Sequence, residues 1–296
     1  MRKSRRLGNK IEPYLFLSPS YFILLLFMAY PLINCIRLAF SDYRLNVPGA
    51  RGFCGLENFE KIFSSPDFLL ICKNTVVFVV ATVSVQFILG MILALALRKP
   101  FKGQGVVRSI VFLPWAFSGF VIGLSFQWFF NAEYGPLNDL LLRFGIINEK
   151  LYMLSDPDLA LFSVVIALAW QGIPFFAMMI LAALQSIPKD VYEAADLDGA
   201  NSIQQFSYVT LPYIKPTIVL TLLVRTVWVF NNSEMIYVMT RGGPANHSNT
   251  LASAMFMKAY ATLDFGQAGA LGLMFILILM VFTVIYLKLT KFNEEQ

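Results

Sequence analysis

Four residues with polar or aromatic chemistry crowd one short apolar run: Arg225, Trp228, Asn231 and Asn232. On a helical wheel they fall within roughly 120° of one another. Amides and a guanidinium hydrogen-bond hydroxyl groups, and an indole face stacks on the apolar face of a sugar ring. The set therefore fits a polyhydroxylated ligand. A second reading pairs Arg225 with an acid on a neighbouring subunit and uses the asparagines as hydrogen-bonding glue between helices. Arg225 lies nine residues past Pro216, in the middle of an apolar segment. A charge there is expensive, so it must face a cavity or a partner. Glu234 falls on the opposite side of the wheel and nearer the end of the segment, which fits a salt bridge or a water-facing position.

Covalent chemistry finds no support. The chain has no G-x-x-x-x-G-K-[ST] phosphate loop and no H-E-x-x-H pair. A Ser/His/Asp set would need the chain's one histidine, His247, which sits in a loop between Asn246 and Ser248 with nothing to place it. An intramembrane enzyme would need paired catalytic residues at one depth, and none are evident. The three cysteines suit no disulfide framework, and Cys54 and Cys72 read as unpaired thiols.

These residues must be positioned by membrane helices. Of 296 residues, 57% are apolar and 14% charged, against about 25% charged in a soluble domain. The spacing of uncharged runs predicts an all-α polytopic membrane protein with six spans, at about 13–37, 74–97, 109–130, 159–187, 214–238 and 265–287. Residues 1–12 carry five basic groups and one acid. They resemble a signal-peptide n-region, but no A-x-A site follows and the apolar run is long, so a retained first helix is expected. Arg98, Lys99, Lys102 and Arg108 form a basic loop without an acid, which marks the cytoplasmic side. Under this topology thirteen Lys and Arg lie inside and eight outside, with both termini inside. Leu113-Pro114 predicts a kink in the third span. Gly172 and Pro174 predict a broken or bent fourth span near a cavity. Trp115 reads equally as an interface anchor or a packing residue.

One polar stretch, Ile187 to Pro216, interrupts this apolar pattern. Asp190 and Glu193 have the spacing of a capping box that would start a helix at Val191, and Gly199 would close that helix in the left-handed conformation. Ser202 and Gln205 repeat the spacing for a second helix, which Pro212 would end, with Pro216 in the first turn of the next span. Val191, Ala194 and Ala195 share one face, where small side chains would admit another protein. A plain connecting loop with two short helices is the other reading of the same residues.

Within this stretch Glu193-Ala194-Ala195, then Asp198-Gly199-Ala200, then Val209, Leu211 and Pro212 resemble the EAA loop of ABC importer permeases; only Val209, in place of isoleucine, departs from the pattern. Gly55-Leu56-Glu57-Asn58-Phe59 resembles the G-L-x-N-F that follows the first helix of sugar-type permeases and would start a short surface helix. Phe230-Asn231-Asn232 and Thr240-Arg241-Gly242-Gly243-Pro244 are similar to stretches of maltose-type permeases, as is the run Trp170, Gly172, Pro174, Phe175. The similarity extends from about Tyr14 to Leu287 and also touches glycerol-phosphate-type permeases.

The resemblance implies a transmembrane subunit of a binding-protein-dependent, carbohydrate-type ABC importer in the bacterial inner membrane. Residues 1–12 and 292–296 would be tails of a permease domain at 13–291. Segment 188–212 would be a cytoplasmic coupling loop between spans 4 and 5, in which Val191, Glu193, Ala194, Ala195, Asp198, Gly199 and Ala200 engage the ATPase. Gly172, Phe175, Phe230 and Asn231 would join Arg225, Trp228 and Asn232 along the substrate path, although the wheel turns Phe230 away from the Arg225 face. The implied partners are a second, related permease, two ATPase subunits that hold ATP and Mg, an external binding protein and membrane lipid. No cofactor is expected in this chain. An acidic sugar, a sugar phosphate or another small polar solute is the alternative cargo. An ion-coupled secondary transporter would instead show inverted repeats and membrane-buried acids, and neither is seen.

Overall fold

The computed structural model describes residues 14, 16–49 and 52–290. The basic N-terminal cluster Arg2 to Lys10, together with Arg51, Lys291 and the tail 292–296, lies outside the described residues. Among these residues helices are the only extended regular elements, joined by loops that carry two isolated bridges, Ser41 with Phe53 and Arg44 with Asp264. Five helices are long and apolar enough to cross a bilayer: Phe16–Ala39, Phe68–Ala96, Ala160–Gln185, Ser202–Met239 and Phe265–Leu289. A bent pair, Gln104–Ala116 and Gly119–Phe129, raises the number to six if it is one span.

The chain divides into two compact units, residues 1–65 with 258–274, and 66–257 with 275–296. In the first unit α1 (Phe16–Ala39) is followed by α2 (Glu57–Phe63) and packs against the first turns of the last helix. The buried Asn58 ties this unit together, donating from Nδ2 to the carbonyls of Ala39 (3.0 Å) and Ser41 (2.9 Å). The G-L-x-N-F stretch starts a short, largely exposed helix, as expected, and its asparagine is in addition an internal tie. Gly269 allows close backbone approach, since a Cβ there would lie 2.9 Å from the Ala39 nitrogen. Asp264 opens the last helix by accepting from the Gln267 amide at 2.9 Å.

The second unit is built on α3 (Phe68–Ala96) and α7 (Ala160–Gln185). The two run side by side in the same direction: Gln86 bonds Leu168, and one turn later Gly90 meets Ile173 and Phe176. A Cβ on Gly90 would lie 2.5 Å from the Phe176 Cβ and 3.1 Å from backbone atoms of Ile173 and Ala177. Small residues at such crossings let helices approach where apolar burial gives no preference for protein over lipid. Of the expected break or bend, no break occurs: α7 continues through Pro174. The ring is buried in the bundle core, and a single missing donor is tolerated where neighbouring helices enclose the turn.

The third predicted span is two helices, α4 (Gln104–Ala116) and α5 (Gly119–Phe129), meeting at 94°. Phe117 and Ser118 are extended (ψ 147° and 148°), and the Ser118 hydroxyl accepts from the Val121 amide at 3.3 Å. The carbonyl of Phe117, freed by the break, accepts from Gln171 Nε2 of α7 at 3.2 Å. The helix passes through Pro114 without ending there, and the bend lies three residues later at Phe117 and Ser118, so the kink expected in the preceding turn is corrected: α4 and α5 part where the backbone turns extended. Beyond α6 (Pro136–Arg143), α7 leads to α8 (Lys189–Leu197), α9 (Ser202–Gln205), α10 (Leu211–Phe230) and α11 (Glu234–Met239). The last two helices are α12 (Leu251–Tyr260) and α13 (Phe265–Leu289). The three cysteines, Cys35, Cys54 and Cys72, are free thiols.

The close approach of α3 and α7 generates a stability prediction. Gly90→Val should lower the melting temperature of the detergent-solubilised protein, because overpacking a tight crossing costs about 1–3 kcal/mol. Gly105→Val, at a glycine with nothing within 4 Å of its Cβ position, should melt much closer to the parent. Indistinguishable melting of the two variants would remove the crossing as a stability determinant.

Candidate functional site

Two sites share the same helices. The first is the polar segment between α7 and α10. α8 begins at Lys189 with Pro188 as N-cap, and no side chain caps it. The expected Asp190–Glu193 box does not form, because Pro188 already turns the chain and Asp190 sits inside the first turn, where its charge favours the helix N-terminus. The C-terminus follows expectation: Gly199 has φ +75°, its amide bonds the Asp196 carbonyl and the Ala200 amide bonds the Ala195 carbonyl, both at 3.0 Å. This is a Schellman closure that a side chain with a Cβ would strain. The second capping box lies one residue earlier than predicted. Asn201 Oδ1 accepts from the Gln204 amide, and Gln204 Oε1 accepts from the Asn201 amide.

Pro212 does not end a helix. A π turn at Phe206–Thr210 widens the backbone just ahead of it and α10 continues, with Pro216 inside that helix rather than in its first turn. In a regular helix the Pro212 ring would press on the carbonyl of Tyr208; the wider turn relieves that clash.

Tyr192 fixes the segment to its surroundings. Its hydroxyl bonds the Thr210 hydroxyl at 2.8 Å, and its ring lies 4.3 Å from the Arg98 guanidinium carbon. Sequence reasoning missed Tyr192, although the basic loop containing Arg98 was evident. Glu193, Ala194, Asp198 and Gly199 are exposed, whereas Val191, Ala195 and Ala200 are half-buried. The shared face predicted for Val191, Ala194 and Ala195 is therefore divided: α8 turns Ala194 outward and the other two partly inward. Leu197 (89% exposed) and Ile203 (77%) add apolar side chains to the open face.

The second site is a polar pocket of about 130 Å³ among α4, α7 and α10, lined by Trp115, Gln171, Arg225, Trp228 and Asn232 together with Leu168 and Val229. Arg225 is 7% exposed. Its Nε donates to Gln86 Oε1 at 2.7 Å, and Gln86 Nε2 donates to the Leu168 carbonyl at 2.7 Å. Three helices are thereby joined through one guanidinium. Among the described residues no acid lies within ion-pair distance of Arg225. A charge at a helix centre in lipid costs about 2.5–3.5 kcal/mol; a hydrogen bond to a charged group returns about 1.5–3 kcal/mol.

Aromatic rings complete the wall. Phe175 lies 6.4 Å from Trp115 and 5.1 Å from Trp228 between ring centroids, and the Arg225 guanidinium carbon is 5.8 Å from its centroid. Trp115 is thus a packing residue of the pocket. Gly172 stands behind it: a Cβ there would collide with Arg225 Nη2 and Gln86 Nε2. Its place is to leave room for the guanidinium. Phe230 packs on Phe275 at 4.9 Å and does not line the pocket. Asn231 also stands apart, because α10 ends at Phe230 and the wheel that grouped Asn231 with Arg225 no longer applies. Asn232 lines the pocket while its Oδ1 accepts from the Met235 amide at 3.3 Å, starting α11. Glu234 is exposed and lies against Gly119, at the bend between α4 and α5. Gln86 and Gln171 were missed by sequence reasoning; each is a polar side chain inside an uncharged span, and that signal was available.

Gln86→Leu should destabilise the protein by about 1–3 kcal/mol, since it leaves the buried Arg225 Nε without its acceptor and removes the second bond to the Leu168 carbonyl. Gln86→Glu keeps an acceptor and adds a counter-charge, so it should melt above Gln86→Leu. Equal melting temperatures for the two would show that the link does not hold the helices.

A membrane bundle with a central polar pocket and a capped polar segment between its pocket-lining helices has close counterparts. Residues 86–294 match the family model described as a binding-protein-dependent transport system inner membrane component. The sulfoquinovosyl glycerol transport system permease protein of Agrobacterium fabrum is 35% identical, over 97% of this chain and 93% of its own. The trehalose/maltose transport system permease protein of Thermococcus litoralis is 33% identical, over 95% and 94%. In structure, a chain of a bacterial ABC transporter that imports the acidic polysaccharide alginate superposes with a TM-score of 0.82 at 23% identity, covering 98% of this chain and 99% of that one. With the bundle, its pocket and these full-length likenesses in agreement, the chain belongs to the family of membrane components of binding-protein-dependent transport systems.

Proposed function

We propose that this permease forms half of the translocation path of an ATP-driven importer for a sugar or oligosaccharide, completed by a second, related permease in the bacterial inner membrane. An external binding protein would deliver the substrate, and two ATPase subunits would hold ATP and Mg. The polar segment would be the cytoplasmic coupling loop, with both termini on that side and six spans crossing the lipid. The observation that carries this reading is the continuity of the two sites. α7 supplies Gln171 and Phe175 to the pocket and runs into α8; α10 leaves the same segment and carries Arg225 and Trp228.

On α8 the open face holds Glu193, Ala194 and Leu197, followed by Asp198, Gly199 and, beyond the turn, Ile203. Exposed apolar groups beside small residues suit a protein groove. Tyr192 supports the transmission of movement inward, because it ties α8 to Thr210 at the foot of α10. Closure of the ATPase subunits would move α8, and the helices would exchange inward-open and outward-open states. The ATPase dimer must bind those states with different free energies, since only differential binding shifts such an equilibrium.

The pocket supports carbohydrate as the cargo: two tryptophans, two amides and a guanidinium combine stacking with hydroxyl recognition. The names of the two relatives point to sugar-containing substrates. An acidic saccharide is favoured by one observation, that Arg225 faces the pocket without an acid beside it among the described residues.

Two outcomes check this. Glu193→Lys should abolish substrate-coupled uptake by the reconstituted complex while the permease still inserts and assembles; normal uptake would refute the docking role. Trp228→Ala should raise the KM for uptake about tenfold, equivalent to about 1.4 kcal/mol of lost stacking. Comparing neutral with uronic-acid-containing saccharides separates the two cargo readings, and an unchanged KM for every saccharide would remove the pocket from the path.

A further inference from the structure

A second polar cavity, of about 600 Å³, opens at the end of the second unit away from the polar segment. Its wall includes Gln127 and Trp128 at the end of α5, Asn131, Tyr134 and Ser155 in the loops that follow, and Thr240 just past α11. Trp128 is 56% exposed and Tyr134 is 69% exposed. Neither ring packs on another ring or cation among the described residues.

The cavity is preorganised. Asn131 Oδ1 accepts from the Glu133 and Tyr134 amides (2.9 and 3.2 Å), which leaves its Nδ2 donors free among the described residues. Gly135 is needed there, since a Cβ would lie 2.7 Å from the carbonyls of Phe129 and Trp128. Asn138 closes the loop by exchanging hydrogen bonds with the Leu151 backbone, both at 2.9 Å. The Trp128 indole N–H, the Tyr134 hydroxyl and the Ser155 hydroxyl also have no protein partner among the described residues. Aromatic faces carried beside a hydrogen-bonded loop and surrounded by open amide and hydroxyl groups are the chemistry of saccharide recognition, and a preformed loop lowers the entropic cost of binding.

An aromatic belt at the lipid headgroups is the other use of Trp and Tyr at a helix end. The other side of Trp128 does face an apolar groove with Leu124, Phe126, Phe129 and Trp170. The side toward Asn131 and Ser155 is polar, and a lipid-facing surface would not carry those open groups.

We propose that this cavity is an outer saccharide subsite, in line with the pocket at Arg225, so that the chain handles an oligosaccharide along its length. Asn232 lines the inner pocket and Thr240 the outer cavity. Eight residues of largely helical backbone place them about 12 Å apart. One sugar ring does not bridge that gap, whereas an oligosaccharide does. The inference rests on the carbohydrate reading above.

The test uses the complete complex, with partner permease, ATPase subunits and binding protein, in proteoliposomes. The probes are radiolabelled neutral and uronic-acid-containing saccharides of one, two and three units. Trp128→Ala and Tyr134→Ala should each raise the KM ratio of the longest to the shortest accepted saccharide about tenfold, and Trp128→Phe should restore most of it. Where one multi-unit length alone is carried, Trp128→Ala should raise that KM about tenfold, again with rescue by Phe. Equal changes at every length, no change, or a loss confined to binding-protein affinity would overturn the outer subsite. So would a parent complex that carries single rings only. A parent complex that carries no saccharide at all would instead overturn the carbohydrate reading itself, and Trp228→Ala acting equally on all lengths would leave that reading standing alone.

Discussion

A guanidinium inside an apolar bundle must find hydrogen-bond partners, and much of the second unit is arranged around that requirement. Arg225 reaches Gln86 on α3, and Gln86 in turn donates to a carbonyl of α7. Because neither side chain can be desolvated alone without losing several kcal/mol, the three helices are held in one register at this level. Gly172 follows from the same constraint, since its missing Cβ is where the guanidinium and the amide lie. Only part of the guanidinium is used in this link. The remainder faces the pocket beside Trp228, Gln171 and Asn232, so one residue both locks the bundle and offers donors to whatever enters.

The backbone irregularities lie where this architecture needs them. The 94° bend between α4 and α5 turns the chain at Phe117 and Ser118, and Gln171 satisfies the carbonyl that the bend frees. The break after Phe230 lets Asn232 face the pocket and begin α11 with the same side chain. The π turn before Pro212 keeps the helix leaving the polar segment continuous. Thr210, at the foot of that continuous helix, is where the Tyr192 hydroxyl attaches.

The polar segment shows how local and tertiary forces divide the work. Its closure at Gly199 is local, set by one glycine with positive φ and two backbone hydrogen bonds. Its attachment is tertiary, through Tyr192 to Arg98 and Thr210, residues 94 and 18 positions away. The exposed Leu197 and Ile203 leave two large apolar side chains in the open on this segment.

Periodicity and composition determined what depends on the chain's neighbours in sequence: an almost wholly helical membrane protein, the apolar runs that form its spans and the glycine stop of α8. They also marked Arg225, Trp228 and Asn232, because a charge, an indole and an amide in an apolar run stand out by type alone. Where a cap would fall was decided by one-residue shifts: Asn201 rather than Ser202 accepts from the helix start because its side chain is the one adjacent to the free amides. Only the tertiary structure decided which polar groups meet. Gln86 stands 139 residues from Arg225, and no periodic pattern encodes that pairing. The same holds for the exclusion of Phe230 and Asn231 from the pocket, since a wheel presumes a helix that the chain abandons at Phe230. Backbone direction follows from local sterics. The pairing of buried polar groups follows from having no water to bond, and that condition exists only once the helices have packed.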